Sequence, residues 1–319
     1  MPSEHVAAVP RHAYMGCLAA SVPRSPAPGV PMMGKCRTTA PRALSSFSAV
    51  LIAVAFTAVA GDCAKAEVPH NGARGDWRVT VGAAGLYKPA FTGAKDYQAF
   101  VFPDLKVEYK NRFFASAFEG VGYNLVNAGT WRAGPVVRLD FGRPETDDNP
   151  FRVAGGKTDA LRGLGDVDTS VEVGGFLEYG FGPFRYSLKL RHGLGGHQGL
   201  IGETALAYKG SADLFGRRVM YSFGPRATFA DSDYNDAYFG ISPSQSARSG
   251  LARYDPGAGL VSYGLGAFAV MPIAQSVSLG VIGAYDRLAG EAADSPLITE
   301  RGEENQFMGG LRLTYEFRL

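Results

Sequence analysis

The chain ends in Leu311-Arg312-Leu313-Thr314-Tyr315-Glu316-Phe317-Arg318-Leu319, in which every odd residue is apolar and every even residue is polar or charged. Because side chains alternate across a β-strand, this stretch predicts a strand with one apolar face and one polar face. A single strand of this kind also occurs in soluble sandwiches. Its recurrence along the chain therefore matters more than any one example.

The same period of two returns at several places upstream. Phe184, Tyr186, Leu188 and Leu190 alternate with polar residues, and the segments beginning at Trp131, Val167, Leu105 and Trp77 follow the same rule. A helical period of 3.6 would mix charges into each apolar stripe, so a helical interpretation fails. The pattern predicts an all-β protein.

The beginning of the chain predicts an export signal. The apolar run Leu44–Ala60 follows Lys35, Arg37 and Arg42 and precedes Ala64-Lys65-Ala66. A basic flank, an apolar run and an A-x-A site are typical of a cleaved secretory signal. We therefore expect a leader over 1–66, a signal peptide over 33–66 with a true start at Met33, and a mature domain over 67–319. The alternative is an uncleaved helix anchoring a periplasmic domain.

Loss of this leader changes the charge balance. The chain has 32 Lys and Arg against 30 Asp and Glu, and the predicted leader holds six of the basic and two of the acidic residues. The mature part is then slightly acidic, which gives no indication of nucleic-acid binding. All three cysteines, Cys17, Cys36 and Cys63, also leave, so neither a disulfide nor a thiol site is expected.

The mature part has no run of 18 apolar residues, yet it is rich in Gly, Tyr and Phe. Closed barrels are the second structure that satisfies every backbone group inside a bilayer, and aromatic girdles are typical of them. We predict a transmembrane antiparallel up-and-down β-barrel in the outer membrane of a Gram-negative bacterium, with outer-membrane lipid as its surroundings.

Eleven segments qualify as strands, whereas bacterial single-chain barrels have even numbers. They are about 77–87, 98–109, 112–124, 130–141, 166–179, 184–192, 200–208, 218–229, 258–271, 276–288 and 305–318. Short turns at 110–111, 180–183 and 272–275 are expected at the periplasmic end. The connections can be assigned to the two sides of the membrane by counting strands from either terminus. The two assignments disagree between about 125 and 165. A missed strand there gives twelve, which we favour over ten.

Candidate chemistry is sparse. His192 and His197 lie in a Gly-rich stretch that indicates a solvated loop, and no base–nucleophile pair can be assigned to them. The stretch Asp231–Asp236 begins like a calcium loop but has Asp236 where Gly is required and Ser242 where Glu is required. We predict no catalytic, cofactor or metal residues.

The polar face of the strands should point into the lumen. The predicted lumen-lining residues are Arg138, Asp140, Glu172, Arg185, Lys189, Arg191, Arg312 and Glu316, together with Arg78, Lys106 and Glu108. Side chains of both signs could fill a barrel of ten or twelve strands by pairing, or could line a narrow aqueous pore. Their mixed signs argue against strong ion selectivity.

The order and spacing of many landmarks resemble the MipA/OmpV family of outer-membrane proteins over nearly all of 76–319. The landmarks are Phe91 to Tyr97, Pro103, Asn111 to Phe114, Gly142-Arg143, Leu161 to Val167, Glu172, Gly174, Phe176, Gly182-Pro183, Asp231 to Tyr234, Ala237 to Gly240, Ala293 to Leu297, Gln306, Leu311, Tyr315 and Phe317. Two departures stand out. Phe91-Thr92 replaces a Tyr and an acidic residue, and Arg318-Leu319 extends the chain beyond Phe317.

The resemblance implies a barrel without enzymatic activity. One member of this family is a scaffold that links a lytic murein transglycosylase to a bifunctional penicillin-binding protein. That implies the same two partners here, as a scaffold for murein-cleaving and murein-synthesising enzymes. The alternative function is a porin-like diffusion channel for small solutes, and the sequence itself does not decide between them.

Overall fold

The computed structural model describes residues 76–319, so the predicted leader, its Met33 start and its cleavage site lie outside the described residues. Strands dominate, with four short helices between them. The strands are β1 Trp77–Pro89, β2 Tyr97–Tyr109, β3 Phe113–Ser116, β4 Gly120–Tyr123, β5 Val126–Ala128, β6 Trp131–Asp140, β7 Arg152–Ala154, β8 Ser170–Phe181, β9 Phe184–Gly195, β10 Leu200–Leu214, β11 Arg217–Ala230, β12 Gly259–Pro272, β13 Val277–Leu288 and β14 Asn305–Arg318. The helices are α1 Ser232–Phe239, α2 Pro243–Ser249, α3 Gly290–Asp294 and α4 Pro296–Arg301.

The sheet closes on itself. β1 pairs antiparallel with β2 on one side and with β14 on the other, for example Val81 with both Leu105 and Tyr315. Twelve strands follow one another up and down around the barrel, while β5 and β7 are short additions to β6 and β2. The predicted all-β, twelve-strand barrel is confirmed. No helix among residues 76–319 is long and apolar enough to cross a membrane.

The pleat of the last strand has the predicted sides. Leu311, Leu313 and Tyr315 are exposed on the outside of the barrel. Arg312, between them, points inward and pairs with Asp104 of β2. In a soluble barrel the apolar side chains point inward and the polar ones face water. Here the apolar face of the strand points outward and charged residues point inward, as in a barrel surrounded by lipid.

The twelfth strand lies inside the predicted segment 112–124, so its placement between 125 and 165 was wrong. The chain turns at 117–119 and forms the hairpin β3–β4. Gly120 takes a φ of +84°, and a Cβ there would lie 2.2 Å from the carbonyl oxygen of Val137. Because residues 113–123 contain no Pro, Asn or Asp, the usual turn residues are missing at 117–119, and the sequence describes one strand where there are two.

β2 pairs with β1 along its whole length. On its other side, the short β3–β4 hairpin leaves part of β2 without a neighbouring strand. Ala117 N–H donates to Leu105 O on one side of the interruption, and Val101 N–H donates to Phe151 O on the other, both at 2.9 Å. Pro103 lies between Val101 and Leu105 on the same side of β2 and has no N–H to leave unpaired. Its position fits the one place in this strand where a donor would have no acceptor.

One end of the barrel, which we term the loop end, carries all four helices and the loops 90–96 and 141–169. Buried apolar residues from these segments form a core of their own above the strands. It comprises Phe91, Ala94, Leu161, Leu164, Phe239, Ile241, Leu251, Ala292, Ala293, Leu297 and Ile298, with Ala230, Val261 and Leu288 from the strand ends. The loop end is therefore a packed cap.

The opposite end of the barrel, which we term the turn end, carries the start of β1, the end of β14 and tight turns. Lys110 and Asn111 have φ of 48° and 54°, the backbone of a two-residue type I′ hairpin turn. Aromatic rings follow one another around this rim. The contacts run through Trp131, Tyr179, Phe181, Phe184, Tyr208, Tyr221 and Phe223, with Trp77 against Tyr109 and Tyr315 against Phe317. Such a girdle marks a membrane–water interface.

Candidate functional site

The centre of the barrel holds an ion-pair chain built from four successive long strands. Glu172 of β8 accepts from Arg138 of β6 at 3.0 Å and from Arg191 of β9 at 2.7 Å, both through Oε2. Arg191 continues to Glu203 of β10 at 2.8 Å. Three of these four residues are among the predicted lumen residues. Glu203 was missed because the alternation around it is interrupted by small residues.

The remaining predicted lumen residues lie above and below this chain. Arg185 pairs with Glu178 at 3.0 Å, and Glu316 lies 3.6 Å from Arg78 near the turn end. Lys189 is partly buried on the same face of β9. Asp140 lies at the loop end of β6, where its carboxylate accepts from Tyr238 at 2.9 Å.

Burial of the central chain shows that the lumen is filled at this level. Side chains that line an aqueous channel keep contact with water, yet Glu172, Arg191 and Glu203 are 0%, 2% and 3% exposed. Arg138 is also buried. On this side of the barrel, long side chains of both signs thus fill the interior by pairing. On β1, β2, β12 and β13 it is filled by a buried apolar cluster of Leu86, Phe100, Phe102, Phe268 and Ile282.

The expectation for the two histidines was wrong for His197. His192 is exposed but lies in β9, whereas His197 follows β9 and is buried beneath the rings of Tyr234 and Tyr238. Its Nδ1 accepts from the N–H of Gly199 at 3.2 Å, so the proton of the neutral ring is on Nε2. That nitrogen lies 3.4 Å from Oε1 of Glu172. Within 76–319, neither ring nitrogen of His197 contacts a hydroxyl group.

Asp140, Glu172 and His197 bring three ligand-capable atoms within 4.8 Å of one another. Two observations make this trio a charge network rather than a metal centre. Metal-bound histidines donate their other N–H outward, whereas Nδ1 of His197 accepts a hydrogen bond. Arg138 and Arg191 already supply the counter-charge of Glu172.

The stretch that resembles a calcium loop begins a helix. Asp231 is the N-cap of α1, with its carboxylate accepting from Tyr234 N at 3.0 Å and from Leu200 N at 2.8 Å. An Asp at this position satisfies backbone donors that would otherwise be orphaned. An Asp before a short polar segment is itself a capping signal, and it explains this stretch better than the resemblance to a calcium loop does.

Beneath the cap lies a cavity of about 450 Å³, which we term the loop-end cavity. Its walls combine rings and charges. The lining includes Lys88, Phe91, Asp140, Phe141, Arg143, Asp147, Asp148, Asp166, Asp168, Tyr234 and Tyr238. A smaller cavity of about 180 Å³ adjoins it and shares Lys88, Phe91 and Tyr234. Burial raises the pKa of both tyrosines, helped at Tyr238 by the nearby carboxylate of Asp140.

At the turn end, the β10–β11 hairpin extends beyond its neighbours. β9 stops pairing with β10 at Tyr208, and β12 stops pairing with β11 at Met220. Residues 209–219, which we term the tip hairpin, continue beyond these pairs. Tyr221 of the girdle pairs with Gly210, so the hairpin from there to Leu214 reaches about 13 Å past the girdle along the strand at 3.3 Å per residue. Phe215 at its turn is 94% exposed.

Comparison with known proteins places the chain among outer-membrane barrels. The family model of MltA-interacting protein MipA matches residues 81–317. The putative outer membrane protein YiaT of Escherichia coli K12 is 39% identical over 83 residues, which are 26% of this chain and 33% of YiaT. Outer membrane protein OmpV of Vibrio cholerae is 26% identical over 251 residues, 76% of this chain and 87% of OmpV. An outer membrane channel of Pseudomonas putida F1 superposes with a TM-score of 0.40 at 13% identity, over 79% of this chain and all of that one.

Proposed function

The chain belongs to the MltA-interacting protein MipA family of outer-membrane proteins, and on that premise we propose that it is a non-enzymatic scaffold for murein-cleaving and murein-synthesising enzymes. The family description names MltA as a partner. By the family resemblance, the partners of this chain are a lytic murein transglycosylase and a penicillin-binding protein. The contact surface has to lie on the periplasmic side, where murein is.

The turn end is the periplasmic end of the barrel. Bacterial barrels have short periplasmic turns and longer extracellular loops. Here the turn at Gly182–Pro183 directly follows the girdle, whereas the loop end carries helices. The tip hairpin therefore projects into the periplasm.

The observation that carries the proposal is the turn of the tip hairpin. Phe215 and Gly216 have φ of 52° and 68°, a type I′ turn that favours Asn-Gly. Phenylalanine in the left-handed region costs about 1 kcal/mol, and its ring is also almost fully exposed to water. A residue that is unfavourable on both counts is expected where a partner covers it.

The hairpin also offers a sheet edge and a charge. The outer edge of β10 from Gly210 to Leu214 has no strand beside it among the described residues. Exposed edges accept a strand from another protein. Arg217 and Arg218 follow the turn. The matching partner surface has a free strand, an apolar pocket for Phe215 and carboxylates at its rim.

Filling of the lumen counts against the alternative, a diffusion channel. The residues of the ion-pair chain around Glu172 are shut off from water, and the packed cap covers the loop end of the barrel. A solute would have to displace both.

The proposal is tested by binding of the purified lytic murein transglycosylase of the same organism to the full chain in detergent micelles. We expect Phe215→Ser to weaken binding about tenfold or more, since burying one aromatic side chain contributes about 1.5–3 kcal/mol. Lys110→Glu, a charge reversal at a different periplasmic turn, is the matched control and should bind normally. Absence of binding to the wild-type chain would refute the scaffold. Equal binding by Phe215→Ser would refute the hairpin as its contact.

A further inference from the structure

Arg143 differs from the other buried arginines and lysines discussed above in having no carboxylate partner among residues 76–319. Arg138, Arg191, Lys106 and Arg312 all pair with a carboxylate. Arg143 is only 7% exposed, yet no carboxylate of residues 76–319 lies within 4.0 Å of its guanidinium. Its one side-chain hydrogen bond goes to the carbonyl oxygen of Tyr238 at 2.6 Å, and its Nε has no partner.

The fold holds this arginine in place without neutralising it. Its backbone N–H and C=O both bond to Val167, at 2.9 and 2.8 Å. Its guanidinium lies 5.9 Å from the ring of Phe91 and 6.0 Å from that of Tyr238. A buried charge with neither counter-ion nor full hydrogen bonding is costly. Burial lowers the pKa of Arg143 to about 10, in keeping with that cost.

Arg143 lines the loop-end cavity, whose volume of about 450 Å³ falls in the range of small-molecule sites. Phe91, Phe141 and Tyr238 supply aromatic walls. Asp148, Asp166 and Asp168 are exposed lining residues, so the cavity has its mouth at the surface of the loop end.

The charges of the lining select the kind of ligand. Asp147 and Asp148 are neutralised by Arg152 and Lys157. Three further carboxylates, Asp140, Asp166 and Asp168, have no cationic partner within the described residues. Lys88, the other cation of the lining, donates to the carbonyl oxygen of Pro89 and lies 4.5 Å from the centroid of the Phe100 ring. The three carboxylates outnumber Arg143 and Lys88, so they weaken the binding of a simple anion and attract an ammonium group.

We infer that the loop-end cavity is a binding site for a small aromatic zwitterion, with the ligand carboxylate on Arg143 and its ammonium group toward Asp140, Asp166 and Asp168. The guanidinium fork suits a carboxylate because it offers two parallel N–H donors. This site is at the opposite end of the barrel from the tip hairpin and does not depend on the scaffold proposal.

Three probes with one common phenyl body test the inference by isothermal titration calorimetry on the full chain in detergent micelles. L-phenylalanine carries both charges, 3-phenylpropionate lacks the ammonium group, and phenethylamine lacks the carboxylate. We expect L-phenylalanine to bind and each of the others to bind at least tenfold more weakly. Equal heats from all three, or no binding of L-phenylalanine, would overturn the inference. Inorganic phosphate is a fourth probe, and tighter binding of phosphate than of L-phenylalanine would replace the zwitterion with a plain oxyanion.

Arg143→Gln should weaken L-phenylalanine binding about 10- to 100-fold, which corresponds to the loss of one charged hydrogen bond. Arg162→Gln is the matched control, because it removes an exposed cation of the same loop that does not line the cavity, and it should leave affinity within a few-fold. Without ligand, Arg143→Gln should keep or raise the melting temperature, whereas a purely structural arginine would lower it when replaced. Unchanged affinity in Arg143→Gln contradicts the assignment. The comparison of probes on the wild-type chain stands even if this variant fails to fold.

Discussion

At the scale of single residues, Glu172 holds the interior together. It neutralises both Arg138 and Arg191, and its side chain is completely buried. Arg191 keeps Glu203 as a second partner, but Arg138 has no other carboxylate partner among residues 76–319. The consequence of removing this carboxylate is therefore one uncompensated charge in a dry interior.

We predict that Glu172→Gln lowers the free energy of unfolding by about 3–5 kcal/mol, the usual cost of breaking a buried ion pair. Urea unfolding in micelles, followed by circular dichroism, measures it. Lys110→Gln, which removes an exposed pair with Asp76, is the control and should cost less than about 1 kcal/mol. A loss of similar size in both variants would show that the central pair is not sealed from water.

Two tyrosines of the cap make the loop end sensitive to alkali. The pKa of Tyr238 is raised by burial and by Asp140, and that of Tyr234 by burial, with Asp140 adding to it, while Arg143 opposes the shift at Tyr238. When the folded pKa is raised, the stabilisation is complete below the unfolded value of about 10 and is lost as the pH rises above it.

The cap should therefore open above about pH 10 while the strands persist. Hydrogen exchange of α1 amides, read beside tyrosinate absorbance, follows this opening. Tyr238→Phe should reduce the dependence on pH because one ionising group is gone. A wild-type cap that is equally protected on both sides of pH 10 would contradict the prediction.

Strand periodicity allows a prediction of which charged residues face inward, because facing depends only on the pleat. It could not predict their partners, since pairing between strands depends on register and on distant chain segments. Arg143 shows the limit. It was noticed only as part of the pair Gly142-Arg143, and nothing in the sequence indicates that Tyr238 and Phe91 enclose it.

At the scale of elements, the proposed scaffold requires the tip hairpin to keep a strained, exposed Phe215 as its contact residue, at a cost in local stability. Phe215→Asn places the residue that a type I′ turn prefers at the strained position. We predict that the free energy of local opening rises by about 1 kcal/mol while transglycosylase binding weakens. Hydrogen exchange of amides 209–219 measures the first and the binding assay the second. A variant with both a more stable hairpin and tighter transglycosylase binding would contradict the proposed contact role of Phe215.

Long strands were predicted well because their alternation extends over many residues. The hairpin β3–β4 and the short strand β7 were not, since four or three residues are too few for a period of two to be recognised. The helices of the cap were missed for a related reason. They contain five to eight residues each, shorter than the amphipathic pattern that would identify a helix.

At the scale of the whole molecule, the structure is a barrel closed by its own side chains and by a packed cap. The sequence predicted the barrel and its outer-membrane location, both of which are confirmed. It could not decide whether the lumen is filled, because that depends on twelve strands placing Arg138, Glu172, Arg191 and Glu203 at one level. In the proposed scaffold, the filled lumen leaves the periplasmic surface as the place where the murein enzymes bind.

The central claim is that the protein works through its periplasmic surface and not through its lumen. Conductance of the purified wild-type chain in a planar lipid bilayer tests this most directly, with detergent alone as the blank and a general porin as the positive control. We predict no conductance steps above the blank, because the ion pairs around Glu172 exclude water. Reproducible, long-lived steps from correctly folded protein would contradict the claim and would establish a channel instead.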